Sequence, residues 1–374
     1  MVAVAIMGMT GCRDPYMPPA VTAPNAYLVV DGTVLSGPDS SYLTLSRTVS
    51  LSDSDQSVPE TSANLLIEDQ SGAVHTFHEN GHGLYVLQPT TFPADRKYHL
   101  IVRTRDGSQF TSDFTEVKAS PPIDSIFWRK DGDLTLYVAT HDPSDQTRYY
   151  RWAFTEDWEY DSYYNALVGY DRNNHQLYPK TPADMTTQCF RSGHSTDVLI
   201  ATTANLAHDV VDSQRIHTIL ANSEMLSTRY SIEVTQYALT KGSFEYWQLL
   251  KKNSNQLGTI FDPQPSQVTG NIHNTNRPDE PVIGLFSISG ASRMRIFIRN
   301  AEVVPWSMPD QAKICEPPKN IRVDSAQYYL YDPAWEPAYY ITDFTGGVQH
   351  MAIARKECVD CRTRGGSTVK PPYW

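Results

Sequence analysis

The sequence predicts a mainly β protein: a small N-terminal β-sandwich followed by a larger β-rich domain with one or a few helices. Three observations point there. The 374 residues include 22 Tyr, 12 Phe and 7 Trp, which suit pleated, half-buried surfaces, and 25 Pro, which multiply connections. Short alternating segments recur roughly every 8–12 residues with turn chemistry between them. Only one stretch has convincing helical spacing.

The elements follow in order. Tyr27 to Val30 reads as an apolar strand ended by Asp31-Gly32, and Tyr42 to Arg47 alternates around Leu43 and Leu45. Ala63 to Asp69 carries Leu65 and Ile67 on one face, after which Gln70-Ser71-Gly72 turns the chain. Val74 to His78 and Leu84 to Leu87 flank a Gly-rich turn. Tyr98 to Thr104 ends at the hairpin signal Arg105-Asp106-Gly107, and Phe110 to Val117 follows. These strands make up the sandwich of residues 25–119. Ser120-Pro121-Pro122 is a linker, and residues 123–374 form the second domain.

In that domain Leu134 to Thr140 alternates, and Tyr149 to Thr155 places Tyr150, Trp152 and Phe154 on one face. Arg229 to Leu239, Val282 to Ile288 and Met294 to Arg299 are further strands. The helix spans Lys241 to Asn253. Thr240 caps it, Phe244, Trp247 and Leu250 fall on one face, and Lys251 and Lys252 suit the C-terminal dipole. Leu257 to Pro281 reads as loop, and the tail from Glu357 to Trp374 as irregular and cysteine-stapled.

A net charge of −11 argues against binding nucleic acid by phosphate neutralisation. No apolar stretch approaches the roughly 20 residues of a membrane helix. Residues 1–11 instead read as a signal peptide, with the apolar run Val2 to Met9 leading into Met9-Thr10-Gly11-Cys12. This resembles a bacterial lipobox, in which the peptide is cut before Cys12 and the thiol receives a lipid. It departs from that pattern at Met9, where Leu is usual, and no Lys or Arg precedes the run. Residues 12–24 then form a Pro-rich, extended tether.

Besides Cys12 there are Cys189, Cys315, Cys358 and Cys361, an even number that favours disulfides in an exported chain. Three pairings are possible, and the sequence alone does not choose. A bond within Cys358-Val359-Asp360-Cys361 closes a strained ring, so the expectation is that Cys358 and Cys361 reach back to Cys315 and Cys189. A four-cysteine zinc site would need a second close pair, which Cys189 and Cys315 do not make.

Two resemblances add to this reading. The order strand, Asp-x-x-Gly, strand, Gly-x-Tyr, strand resembles the transthyretin-like or carboxypeptidase-regulatory sandwich, a likeness of fold only. Several stretches together resemble one family. They are Val29-Val30-Asp31-Gly32, Pro121-Pro122-Ile123-Asp124-Ser125, Tyr246-Trp247-Gln248-Leu249-Leu250-Lys251-Lys252, Gly258-Thr259-Ile260-Phe261-Asp262-Pro263-Gln264-Pro265, Gly270-Asn271-Ile272, Cys358-x-x-Cys361-x-x-x-Gly365-Gly366 and Lys370-Pro371-Pro372-Tyr373-Trp374. That family is the Bacteroidota outer-membrane lipoproteins of domain of unknown function 4249. The resemblance implies a lipoprotein partnering a TonB-dependent outer-membrane β-barrel, and it implies no established reaction.

Among candidate sites, His78-Glu79-Asn80-Gly81-His82 matches the zinc-protease pattern. The chemistry needs both imidazoles on one helix face, whereas Asn80-Gly81 is a hairpin turn signal. No nucleophile elbow, phosphate loop or dinucleotide fingerprint occurs. Asp53-Ser54-Asp55 lacks calcium-loop spacing, and Glu156-Asp157 reads as a solvated loop rather than an acid–base pair. No cofactor or metal is expected. Two aromatic clusters stand out, one from Trp152 to Tyr170 and one from Tyr328 to Tyr340. Trp158, Tyr163, Tyr164, Tyr329, Trp335 and Tyr340 are the expected interface or ligand aromatics. Ser125 and Ser325 sit in Asp-Ser-aliphatic motifs that resemble O-glycosylation sites of exported Bacteroidota proteins.

The resulting expectation is a non-enzymatic lipoprotein facing the cell exterior, an accessory or substrate-capture subunit of a TonB-dependent transporter. Its rivals are a stand-alone glycan-binding protein or hydrolase, and a structural subunit of an outer-membrane protein assembly complex.

Overall fold

The computed structural model describes residues 27–49, 57–255, 268, 270–306, 314–344 and 346–374. The expected signal peptide of residues 1–11, Cys12, the expected tether of residues 12–24, Asp53-Ser54-Asp55 and residues 258–265 lie outside these residues. The fold is mainly β, as expected, and has three β modules along the chain.

The N-terminal module contains β1 (Leu28–Leu35), β2 (Ser41–Arg47), β3 (Val58–Pro59), β4 (Asn64–Asp69), β5 (Val74–Thr76), β6 (His78–Glu79), β7 (Leu84–Leu87), β8 (Lys97–Arg103), β9 (Gln109–Ser112) and β10 (Thr115–Lys118). One wall runs β1-β2-β7-β6 and the other has β4, β8 and β9, with antiparallel pairing within each. Period-two alternation sends Leu43 and Leu45 inward beside Leu65, Ile67, Leu100 and Val102, while Tyr42 points out. The strand expected to end at Asp31-Gly32 runs on to Leu35. Gly32 has φ +135°, and a Cβ there would lie 2.3 Å from the Tyr42 carbonyl oxygen, so it serves close strand approach rather than a turn.

The second module begins with β11 (Ile123–Asp131) and β12 (Asp133–His141) and continues through β13 (Tyr149–Asp161), β14 (Val168–Asp171), β15 (Gln176–Pro179), β16 (Gln188–His194), β17 (Leu199–Thr202), β18 (Val210–Ile219) and β19 (Arg229–Ala238). The sheet β11-β12-β18 faces a sheet in which β13 is flanked by β19 on one side and by β16 and β17 on the other. Leu134, Leu136 and Val138 pack against Trp152, Phe154, Ile232 and Val234 between them. The Trp152 indole N–H donates to Gln236 Oε1 at 2.9 Å, and Gln236 Nε2 donates to the Pro121 carbonyl and to Thr140 Oγ1. The expected linker is therefore docked by a satisfied buried amide.

Helix α1 (Lys241–Asn255) starts where expected, with Thr240 Oγ1 accepting from the Ser243 N–H at 3.1 Å. The pairing then departs from the expected domain boundary. Strands β20 (Ile272–Asn274), β21 (Ile283–Gly284) and β22 (Ile288–Ser289) return to the N-terminal module. β20 pairs β9, β21 runs parallel to β1, and β22 bridges β1 and β10, joining the two walls along one edge. Ile272, Val282, Phe286 and Ile288 complete that core. The N-terminal sandwich is thus not closed by residues 25–119 alone, and part of the segment read as loop is a strand. β23 (Ala291–Arg299) then rejoins the second module beside β19.

The third module holds β24 (Lys319–Arg322), the short helix α2 (Ala326–Leu330), β25 (Trp335–Thr342) and β26 (Val348–Arg355). Its sheet is covered on both faces. Ala352 and Ala354 pack on Ala166 and Val359, while Met351 and Ile353 pack on Ala326 and Leu330 of α2. Helix α3 (Lys356–Val359) and a 3₁₀ turn carry the tail back to β16, where Ser367 bridges Phe190.

Candidate functional site

The two aromatic clusters have opposite fates. β13 extends to Asp161, well past the expected end at Thr155, so Trp158 and Tyr160 continue the inward row begun by Trp152 and Phe154. Trp158 is 9% exposed and belongs to the second core, which removes it from the expected interface residues. The Tyr160 hydroxyl donates to the Cys361 carbonyl at 2.8 Å. Tyr163 is half-buried beneath the Arg364 guanidinium, 4.6 Å from its ring. Tyr164 packs on the alanine layer and donates to the Cys315 carbonyl at 3.2 Å. These tyrosines hold the third module and the tail to the second.

The later cluster is the exposed one. α2 buries Ala326 and Leu330 and thereby turns its tyrosines out, with Tyr328 81% and Tyr331 87% exposed and Tyr329 more modestly so. Trp335 and Tyr340 are half-buried supports. Lys319 Nζ lies 4.1 Å from the Trp335 ring, and Trp335 and Tyr340 pack on the α2 core. Tyr339 is exposed and Phe344 is fully so. Of the Tyr328 to Tyr340 cluster, Tyr329, Trp335 and Tyr340 are the expected interface residues, whereas the structure exposes Tyr328 and Tyr331 most, together with Phe344 beyond the cluster. The missed signal was helical: three tyrosines in Tyr328-Tyr329-x-Tyr331 span more than one face of a turn, so a helix anchored by Ala326 and Leu330 cannot bury them all.

The carboxylates of β13 do not form a solvated loop. Glu156 and Asp157 are buried on a strand, where neighbours point to opposite faces. Glu156 accepts from the Tyr230 hydroxyl at 2.5 Å and lies 3.4 Å from His217 Nε2. Burial, and then the Glu156 charge, push the Tyr230 hydroxyl well above its ordinary value. Asp157 accepts from Ser192 Oγ at 2.6 Å and from the Tyr373 hydroxyl, and Arg295 lies 3.7 Å away. Glu159, on the same face as Asp157, accepts from the Trp374 indole N–H at 2.9 Å and from Gln188. Trp374 also meets Phe190, Phe297 and the Arg229 guanidinium. Asp157 and Glu159 therefore anchor the tail, and Glu156 and Asp157 cannot flank one substrate bond from opposite sides of a sheet.

The cysteines form two bonds, Cys189–Cys361 and Cys315–Cys358. The first pins the tail to β16 and the second closes the third module on α3. His78-Glu79-Asn80-Gly81-His82 is a strand and turn, with Glu79 accepting from the Ser62 N–H at 2.8 Å. Among the described residues no group of three or more His, Cys, Asp or Glu is placed to hold a metal ion. None of their helices is long and apolar enough to cross a membrane, which says nothing of a β-barrel. Ser125 lies half-buried on β11, and the half-buried Ser325 donates to Asp324 Oδ1 at 3.1 Å.

The family model for the domain of unknown function DUF4249 matches residues 13–295. The chain belongs to this family. The match takes in the first two modules and ends within β23, before the exposed tyrosines of α2. Among curated proteins none matches the chain. One similar solved structure is the adhesin InvE of Yersinia pseudotuberculosis, at 14% identity and a TM-score of 0.16. The alignment covers 57% of this chain and 55% of that one, so the chain spans about half of that structure. A likeness this slight carries no argument.

Proposed function

We propose that this DUF4249 chain is an exported lipoprotein, anchored to the outer membrane through Cys12 and facing outward. In this reading it acts as a non-enzymatic accessory or substrate-capture subunit of a TonB-dependent transporter. The observation that carries the reading is the exposed tyrosine surface of α2 on a module tied down by Cys315–Cys358. Exposed Tyr side chains suit recognition because they offer large contact area with few rotatable bonds and a polar tip. Two disulfides suit an oxidising compartment. The lipobox-like Met9-Thr10-Gly11-Cys12 and the Pro-rich tether support membrane attachment at a distance.

The test is co-purification from detergent-solubilised outer membranes. The expected result is recovery of a β-barrel with the unaltered chain and loss of it when Tyr328 and Tyr331 are both replaced by Ala. Recovery of the lipoprotein without any barrel would count against the partnership. A glycan-array signal abolished by the same substitutions would replace it with stand-alone sugar binding.

A further inference from the structure

The junction of the first two modules holds a cleft of about 490 Å³, within the range of small-molecule sites. One wall is β1 from Asp31 to Leu35 with the turn that leads into Tyr42. The other is the outer face of β13 and β19 together with α1. Arg151 of β13 stands directly across the ladder from Tyr237 of β19. Its guanidinium lies 4.7 Å from the Tyr237 ring centroid and 4.3 Å from that of Trp247 on α1. Stacking occupies the faces of a guanidinium and leaves its N–H edges for hydrogen bonds.

Two charges in this cleft, Arg151 and Asp31, form no ion pair among the described residues. Among the described residues no carboxylate lies within ion-pairing distance of Arg151, although Arg293, the other arginine of the lining, pairs with Asp39. Burial disfavours the Arg151 charge and pushes it below its ordinary value, against the opposing influences of the Tyr237 hydroxyl and Asp31. On the facing wall Asp31 is exposed and has no ion pair among the described residues. Tyr42, 55% exposed, adds an aromatic surface beside it. A half-buried guanidinium held by aromatic rings and a tyrosine hydroxyl, with no carboxylate paired to it among the described residues, is costly to keep charged. At the mouth of a cleft, a ligand's carboxylate can relieve it by forked hydrogen bonding.

We propose that this cleft binds a zwitterion of the amino-acid or short-peptide class. Arg151 takes its carboxylate, Asp31 its ammonium, and Trp247 and Tyr42 its side chain. The site needs only this chain and stands whether or not a transporter barrel is its partner.

Isothermal titration calorimetry on the full chain tests it, with phenylalanine and glycyl-phenylalanine as probes of the free and peptide forms. N-acetyl-phenylalanine lacks the ammonium and phenylalanine amide lacks the carboxylate. At least one zwitterion should bind saturably, and the amide and the N-acetyl compound should each bind about tenfold or more weakly. Arg151→Lys keeps the charge and loses the fork, so it should weaken the zwitterion at least about tenfold. Asp31→Asn should weaken the zwitterion and leave N-acetyl-phenylalanine unchanged or tighter. Asp31 is on the surface, so this variant decides the matter if Arg151→Lys does not fold. Absence of heat from both zwitterions up to about 10 mM, or affinity unchanged in both variants, overturns the proposal. Binding that ignores the ammonium and Asp31 overturns the zwitterion assignment.

Discussion

Removing one disulfide should destabilise this protein more than removing the other, by an amount that loop length sets. Cys189–Cys361 joins residues 172 apart in sequence, and Cys315–Cys358 joins residues 43 apart and lies inside the larger loop. With the short loop tied off, the larger one closes roughly 130 residues, about three times the shorter. All four half-cystines are essentially buried, so the packing lost on truncation is similar for both pairs and chain entropy decides the difference. The loop-closure relation gives upper values of about 5 and about 4 kcal/mol, hence a gap of about 1 kcal/mol. The assay compares urea midpoints of two paired variants, Cys189→Ala with Cys361→Ala and Cys315→Ala with Cys358→Ala. With a slope of about 3 kcal/mol per molar for a chain this long, the first should unfold at about 0.3 M lower urea than the second. Equal losses, or the reverse order, would refute the loop argument. Pairing is checked directly by digestion on the N-terminal side of Asp360, which separates Cys358 from Cys361. A fragment joining those two cysteines to each other would refute the structure itself.

Three further outcomes are expected. Trp158→Ala should lower stability by about 3–5 kcal/mol, because it empties a core position, and should leave barrel recovery from membranes unaffected in whatever fraction folds. Tyr328→Ala and Tyr331→Ala should each move the urea midpoint by no more than about 0.5 kcal/mol in stability, since both side chains stand in solvent; a larger loss would show that α2 packs through them. Burial pushes the Asp142 carboxyl up, but hydrogen bonds from Ser144 and Thr147 outweigh it and hold the group at about 2, below its ordinary 3.8. A depressed carboxyl stabilises the fold above its unfolded value and loses that contribution as pH falls through its folded value. Unfolding midpoints of the unaltered chain should therefore drop between 3.8 and about 2, and Asp142→Asn should flatten part of that drop.

Much of the N-terminal sandwich was readable because its strands are half-exposed. Leu43 and Leu45 alternate with solvent-facing residues, and that alternation is written in one dimension. β22 could not be read that way, since Ile288–Ser289 is too short to show a period and its partners β1 and β10 are remote in sequence. The extra length of β13 was hidden by Glu156, Asp157 and Glu159, which look solvated until Tyr230, Ser192 and Trp374 are found to satisfy them. Trp158 was misassigned for the same reason. Which tyrosines of the later cluster face water is not legible in the sequence, because a helix as short as α2 carries too few turns for its period to register.

Alone, the sequence determined what local chemistry specifies: a mainly β chain, the capped helix after Thr240, the turn inside His78–His82, and an expectation of two disulfides without a unique pairing. Only the tertiary structure decided which residues close the first sandwich, which aromatics face water, and that Arg151 and Asp31 line one cleft without pairing. The reason is physical. Local propensity and periodicity act over a few residues, whereas closure, exposure and charge pairing depend on segments that meet only after the chain has folded.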